Sequence, residues 1–255
     1  MDTPRIAVWK FASCDGCQLS LLDCEEELLD LVGAVHIAHF LEASSRVEGG
    51  PYDISFVEGS ITTAADAERI EAIRAASRLL VTIGACATAG GIQALRNSRA
   101  LGDLVQAVYP APDLIKVLET STPISEHVTV DAELRGCPVS RHQLLEFVAA
   151  ALAGRKPDLP DVSQCAECKR AGTVCVMVAH GTPCLGPVTR AGCGNLCPRV
   201  GRGCYGCFGP VDGANCAALS EQMRKLGLDT TAIAALYRNF NSGAAAFVEE
   251  AARHD

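Results

Sequence analysis

Fourteen of the 255 residues are cysteine, and no other feature constrains the chain as much. The N-terminal sequence has neither the long apolar run of a signal peptide nor a twin-arginine pair, and no apolar stretch is long enough to span a bilayer. We therefore expect a cytoplasmic protein without a membrane span, whose thiols stay reduced. Metal binding or catalysis must then explain the cysteines, and their number suggests three four-cysteine sites and two further thiols.

Charge and composition narrow the class of partner. The 30 acidic and 22 basic side chains leave a formal charge of −8, which argues against a nucleic-acid partner. Hydrophobic residues form 49% of the chain, and the mean hydropathy is +0.19. Some apolar surface is therefore expected to contact another protein.

The chain divides into two parts of different character. Residues 154–161 hold two prolines in a polar stretch and predict a boundary between a domain at 1–156 and a second at 157–255. The first part alternates strand and helix patterns, which predicts an α/β fold with a parallel sheet between helices. Strands are predicted at 6–9, 35–41, 54–57, 79–83 and 128–130; helices are predicted at 64–78 and 141–153, and from the spacing of Leu21, Cys24, Leu28, Leu31 and Val32.

Four cysteines of the first part follow predicted strands. Cys14 and Cys17 come after the first strand, Cys86 after the strand at 79–83, and Cys137 after the segment at 128–130. Because parallel sheets bind ligands beyond the carboxyl ends of their strands, these four thiols are expected to meet at one sheet edge. Glu58 ends another strand at the same edge, where we predict a role in the environment of the site or in proton movement.

The second part is rich in glycine and cysteine. Residues 181–213 contain nine glycines and four prolines, so ligated metal is expected to form the core of this segment. Helical patterns at 217–226, 231–237 and 244–252 are expected to cover it. Eight cysteines make two sites of four: Cys165, Cys168, Cys175, Cys184, Cys193, Cys197, Cys204 and Cys207.

Four thiolates suit zinc as well as an iron–sulfur cluster, because both prefer soft sulfur ligands. Paired Cys-x2-Cys elements alone do not decide between them. Proline after Cys137 and Cys197, together with backbone N–H groups left free by the glycines, favours iron and sulfide. Three such sites in one small chain also suit a row of redox centres. We therefore predict iron–sulfur clusters.

Several longer motifs carry a resemblance. They are SCDGCQLS at 13–20, VEGSI at 57–61, GACAT at 84–88, GCP at 136–138, CLGP at 184–187 and CYGC at 204–207. In these motifs and their order the chain resembles the small subunit of NiFe hydrogenases, and most of all the delta subunit of cytoplasmic, NAD(P)-linked hydrogenases, also called sulfhydrogenases.

The resemblance implies a flavodoxin-like first domain and three 4Fe–4S clusters. The first domain would hold the proximal cluster, with Cys14, Cys17, Cys86 and Cys137 as ligands. Better-known members have a histidine where Cys165 stands, and often only three cysteines at the medial site, so a third four-iron cluster is expected from the additional thiol here. The distal ligands are then Cys165, Cys168, Cys175 and Cys184, and the medial ligands Cys193, Cys197, Cys204 and Cys207.

The resemblance also implies a function and partners. The chain would relay electrons between a NiFe site in a separate large subunit and a diaphorase-type partner with flavin and further clusters, without bond chemistry of its own. Three alternatives stay open: a complex I-like cluster subunit, a zinc-stapled structural protein, and a hydrogenase subunit with a heterodisulfide-linked partner. No flavin or nucleotide is expected on this chain, because no phosphate-binding motif surrounds Gly90 and Gly91.

The remaining candidates have simpler interpretations. Cys24 lies on a helical apolar stripe and Cys216 outside the eight-cysteine run, so both are expected to be structural. His180 is expected to be solvated or bonded to backbone rather than a ligand. His36 and His39 stand three residues apart on a strand and hence on opposite faces, which argues against a shared metal ion.

Overall fold

The computed structural model describes residues 3–24 and 33–255. Their central feature is one parallel sheet in the order β2-β1-β3-β4-β5, the order of flavodoxin-like doubly wound sheets. The predicted α/β class is thus confirmed. The strands are β1 (Arg5–Lys10), β2 (His36–Phe40), β3 (Tyr52–Glu58), β4 (Ser77–Ile83) and β5 (Ala132–Leu134).

Helices and short 3-10 turns connect and follow the strands. Leu28, Leu31 and Val32, from the pattern that predicted a helix near residue 21, lie outside the described residues. No helix in the described ranges has the length and apolar character needed to cross a bilayer. The helices are α1 (Gly16–Leu22), α2 (Ala64–Ala75), α3 (Gly84–Ala89), α4 (Leu101–Val108), α5 (Arg141–Leu152), α6 (Gln164–Arg170), α7 (Val176–His180), α8 (Leu196–Arg199), α9 (Cys216–Lys225), α10 (Thr230–Tyr237) and α11 (Ala245–Ala252).

The sheet is buried between two apolar layers. On one face, Phe56 packs edge-on against Phe147 of α5, with ring centroids 6.0 Å apart. On the other face, Leu80 packs with Ile70 of α2. Burial on both faces explains why β3 and β4 read as continuous apolar runs in the sequence.

Two predicted boundaries in the first part are wrong. The helix predicted over 64–78 begins at Ala64, because Thr63 and Asp66 form a reciprocal capping box, but it ends at Ala75. The fifth strand lies at Ala132–Leu134 rather than 128–130. Val128 and Val130 instead pack their side chains beside α2. Just before the strand begins, the Asp131 N–H donates to the Leu80 carbonyl, and the Asp131 carboxylate accepts the Leu80 N–H.

The three C-terminal helices cover the cysteine-rich segment, as predicted. Leu185 and Val188, around the 3-10 turn Gly186–Val188, are buried together with Tyr237 and Phe247. The segment therefore has a hydrocarbon core on one side. Hydrogen bonds from Arg135 Nη1 to the Pro210 carbonyl (3.0 Å) and from Ser242 Oγ to the Gly91 carbonyl (3.0 Å) fix it against the cysteine-bearing edge of the sheet.

Candidate iron–sulfur centres

The structure brings together the four cysteines that were predicted to meet at the sheet edge. Cys14 and Cys17 lie in the turn and first helix after β1, Cys86 lies in α3 directly after β4, and Cys137 lies in the turn after β5. Cys17 is buried, Cys86 and Cys137 are half-buried, and Cys14 is exposed. We call these four residues the edge quartet.

The thiols of the edge quartet act on one another electrostatically. Burial raises the pKa of Cys17, and the charges of Glu58, Cys86 and Cys137 raise it further. Burial raises the pKa of Cys137 to about 11, again with contributions from Cys86 and Cys14. Thiols in such a site become thiolates when a positively charged metal centre supplies the compensating charge.

Two glycines leave open the space beside the quartet sulfurs. A Cβ on Gly84 would stand 2.3 Å from Cys17 Sγ, and a Cβ on Gly91 would stand 2.5 Å from Cys86 Sγ. Both glycines have positive φ, at +82° and +64°. Four soft sulfur donors, at two of which a neighbouring side chain is missing, fit a thiolate-ligated cluster.

Glu58 orients the turn that carries two of the thiols. Its side chain is 2% exposed; Oε1 accepts a hydrogen bond from the Cys17 backbone N–H at 3.0 Å, and Oε2 accepts one from Gln18 Nε2 at 2.8 Å. Burial raises the pKa of the carboxyl group, while the bonds from Gln18 and Cys17 lower it. Both oxygens are thus engaged in positioning the turn.

Neighbouring thiols act electrostatically on several of the eight C-terminal cysteines. Burial raises the pKa of Cys165 to about 11, with further contributions from Cys184, Cys168 and Cys175. Burial likewise raises the pKa of Cys207 to about 12, and Cys193, Cys137 and Cys197 add to the shift.

Cys204 interacts with cysteines of both predicted C-terminal sets. Its backbone N–H donates to Cys184 Sγ at 3.1 Å, and the charges of both Cys184 and Cys207 raise its pKa. In the described ranges, no three His, Cys, Asp or Glu side chains stand as the ligands of one metal ion would.

Backbone N–H groups surround the sulfurs, as the glycine content predicted. Val139 N–H donates to Cys17 Sγ, and Gly186 N–H donates to Cys184 Sγ, each at 3.4 Å. The edge quartet adjoins the C-terminal cysteines. A Cβ on Gly136, which precedes Cys137, would stand 2.8 Å from Cζ of Phe208, which follows Cys207.

A buried amide lies beside the C-terminal cysteines. Gln164, which precedes Cys165, is 1% exposed; its Oε1 lies 3.4 Å from Cys193 Sγ, and its Nε2 has no hydrogen-bond partner. A buried unpaired donor costs about 1–3 kcal/mol, so it needs an acceptor. Thiolate or sulfide sulfur would supply one, and this orphaned donor therefore fits an iron–sulfur cluster.

Sequence reasoning missed the amides beside the sulfurs. Gln18 follows Cys17 in sequence, Gln164 precedes Cys165, and Gln93 Oε1 lies 3.4 Å from Cys86 Sγ. A glutamine directly next to a candidate ligand was the available signal for two of the three.

The other singled-out residues lie apart from the sulfur groups. Cys24 is buried near Ser20, and Cys216 lies in the core of the C-terminal helices. His180 is exposed at the end of α7. His36 is 2.8 Å from Glu48, whereas His39 stacks on Trp9 at 3.9 Å.

Comparisons with known proteins identify the family of the chain. Residues 14–151 match the family described as NADH ubiquinone oxidoreductase, 20 Kd subunit. Sulfhydrogenase 2 subunit delta of Pyrococcus furiosus is 33% identical over 223 residues, covering 87% of this chain and 93% of that protein. An F420-non-reducing hydrogenase subunit of Methanocaldococcus jannaschii is 29% identical, covering 92% of this chain and 94% of that protein.

A solved hydrogenase structure is also similar to this chain. One chain of an NAD+-reducing [NiFe]-hydrogenase in the H2-reduced state is 34% identical, with a TM-score of 0.58, and the match covers 62% of this chain and 96% of that chain. The predicted resemblance is confirmed: the chain belongs to the family of NADH ubiquinone oxidoreductase 20 Kd subunits, as a hydrogenase small subunit of the NiFe type.

Proposed function

We propose that this chain relays electrons for a NiFe hydrogenase through three 4Fe–4S clusters. The observation that supports this most strongly is the convergence of four thiols from three strand ends on one edge of the sheet. The close approach of Gly136 and Phe208, which adjoin Cys137 and Cys207, supports a continuous series of centres, because it places the edge quartet beside the remaining cysteines.

Each cluster has a proposed set of ligands. Residues 1–156 form the flavodoxin-like domain with the proximal cluster on the edge quartet, and residues 157–255 form the iron–sulfur domain. The distal ligands are Cys165, Cys168, Cys175 and Cys184; the medial ligands are Cys193, Cys197, Cys204 and Cys207. The position of Cys204, beside both Cys184 and Cys207, makes its assignment the most informative one to test.

The chain's own residues hold and insulate these centres. A 4Fe–4S cluster, when bound, takes up and releases single electrons. The cysteines bind as thiolates, and the N–H groups of Val139, Gly186 and Cys204 stabilise the sulfur charge. Buried side chains such as Leu185 and Phe208 exclude water from the C-terminal cysteines.

Apolar surface beside the edge quartet supports a large-subunit contact. Leu19 and Ile92, which are 51% and 52% exposed, lie next to the segments that carry Cys17 and Cys86. We propose that the NiFe large subunit covers this surface, and that a diaphorase-type module with flavin and further clusters accepts the electrons. A heterodisulfide-linked partner stays the second candidate from the sequence, and one relative is named as an F420-non-reducing hydrogenase subunit.

The proposed location is the cytoplasm, because reduced thiols are maintained there. A complex I-like subunit is disfavoured by the hydrogenase relatives, which extend over most of the chain. A zinc-stapled protein would be colourless and would contain zinc without sulfide.

An assay that separates hydrogen activation from electron transfer tests the proposal. The complex with its large subunit is prepared with Cys168→Ala and, as the control, with Cys24→Ala, and D2/H2O exchange is measured beside H2-dependent viologen reduction. We expect Cys168→Ala to keep exchange and lose about a hundredfold in viologen reduction, because a relay ligand is missing. Full viologen reduction in Cys168→Ala would contradict the relay.

A further inference from the structure

An exposed apolar surface lies on the cysteine-rich segment. Val174, Val178, Leu196 and Val200 are 65%, 85%, 61% and 71% exposed. The loop before α7 and the start of α8 are joined by a hydrogen bond from Asn195 Nδ2 to Thr173 Oγ1 at 2.7 Å. This bond brings together the starts of two short segments, 174–178 and 196–200, each with an exposed apolar residue at both ends. We call these four side chains the 174–200 surface.

Candidate cluster ligands reach solvent at this surface. Cys175 is exposed and immediately follows Val174, whereas Cys184 and Cys204 are buried. Cys168 is half-buried, and its carbonyl accepts the Thr173 backbone N–H at 2.9 Å. Of the eight C-terminal cysteines, the one that is exposed thus lies within the 174–200 surface.

The segment that carries the 174–200 surface is basic, whereas the whole chain is acidic. Residues 163–207 contain five basic residues and one acidic residue, in a chain of net charge −8. The acidic residue, Glu167, is engaged internally, since its Oε2 accepts the Asn195 N–H at 3.1 Å. The basic residues exposed here are Lys169, Arg170, Arg199 and Arg202.

We propose that the 174–200 surface docks an electron-accepting protein whose contact face is acidic. This inference rests on the proposed relay function, which requires an exit for electrons. The basic rim attracts and orients the acidic partner, and the apolar centre excludes water between the two redox centres. Exposed apolar side chains rimmed by charged residues are typical of a contact between proteins.

Charge reversal tests this docking surface. The complex with its large subunit is prepared with Lys169→Glu/Arg202→Glu, and with a control of equal charge change, Arg78→Glu/Lys156→Glu, on exposed residues outside the surface. Three acceptors are compared under H2: an acidic 2[4Fe–4S] ferredoxin, the basic protein cytochrome c, and methyl viologen. Each Michaelis constant is measured at low and high NaCl concentration.

The proposal predicts opposite changes for the two proteins. In Lys169→Glu/Arg202→Glu, KM for the ferredoxin rises about tenfold and KM for cytochrome c falls, both differences shrink in high salt, and the viologen rate is unchanged. Unchanged KM values for both proteins, or an equal rise for ferredoxin in the control, would overturn the docking surface. Absence of viologen reduction in the unmodified complex would instead overturn the relay function.

Discussion

Gly84 tests whether the edge quartet is a tightly fitted site. Alanine at this position would have φ of +82° and would place its Cβ 2.3 Å from Cys17 Sγ. The left-handed backbone costs an L-residue about 1–2 kcal/mol, and overpacking a filled site costs about 1–3 kcal/mol. Gly84→Ala should therefore lower the free energy of unfolding by about 2–5 kcal/mol, a large part of the stability of an ordinary domain.

We expect the clash between the Cβ of Gly84→Ala and Cys17 Sγ to be relieved by displacement of the sulfur, with loss of the proximal cluster. The backbone of Cys17 is held by Glu58, so its sulfur is the atom that moves away from Gly84. We expect Gly84→Ala to retain about eight of about twelve cluster irons per chain and to melt at lower temperature. Gly102→Ala is the matched control, because Gly102 is exposed on α4 and a Cβ there meets nothing within 4 Å. Full iron content and an unchanged melting temperature in Gly84→Ala would refute the reasoning.

Four further predictions concern single side chains. Cys24→Ala and Cys216→Ala should each keep the full iron content; loss of four irons in either would make that cysteine a ligand. Gln164→Leu should lower the reduction potential of one centre in an EPR-monitored titration, because it removes the orphaned N–H donor, whereas Gln222→Leu on the exposed face of α9 should leave all potentials unchanged. Glu58→Gln should alter the proximal spectrum, because an NH2 group would face one of the donors from Cys17 and Gln18; an unchanged spectrum and unchanged turnover would exclude a role for this carboxyl group. The Leu80 N–H and Arg74 hold the pKa of Asp131 below its usual value, so Asp131→Asn should reduce the free energy of unfolding by about 1 kcal/mol at pH 7, and this difference should shrink as the pH falls through about 4. A stability difference between the two proteins that persists or grows in acid would contradict the lowered pKa of Asp131.

The sheet was predictable because its strands are long and apolar. β3 and β4 are buried on both faces, so their continuous hydrophobic runs identify them without tertiary information. β5 has only three residues. Its apolar neighbours Val128 and Val130 pack against the apolar cluster around α2 instead of pairing with β4. Hydrophobicity therefore placed that strand a few residues too early.

The edge quartet was predictable for a topological reason. Residues after parallel strands must arrive at the same edge, so Cys14, Cys86 and Cys137 meet despite large separations in sequence. The contact of Gln93 with Cys86 was not predictable, because it depends on how the chain folds after α3. The grouping of the C-terminal cysteines depends in the same way on loop conformation, which spacing does not determine.

Metal and sulfide content of the native complex tests the central claim most directly. Iron, zinc, nickel and acid-labile sulfide are measured per copy of this chain, after anaerobic purification. The relay predicts about twelve cluster irons with matching sulfide, and one nickel with its companion iron from the large subunit. About four irons with two zincs would restrict redox chemistry to the edge quartet and contradict the three-cluster relay. Absence of nickel would separate the chain from a NiFe partner.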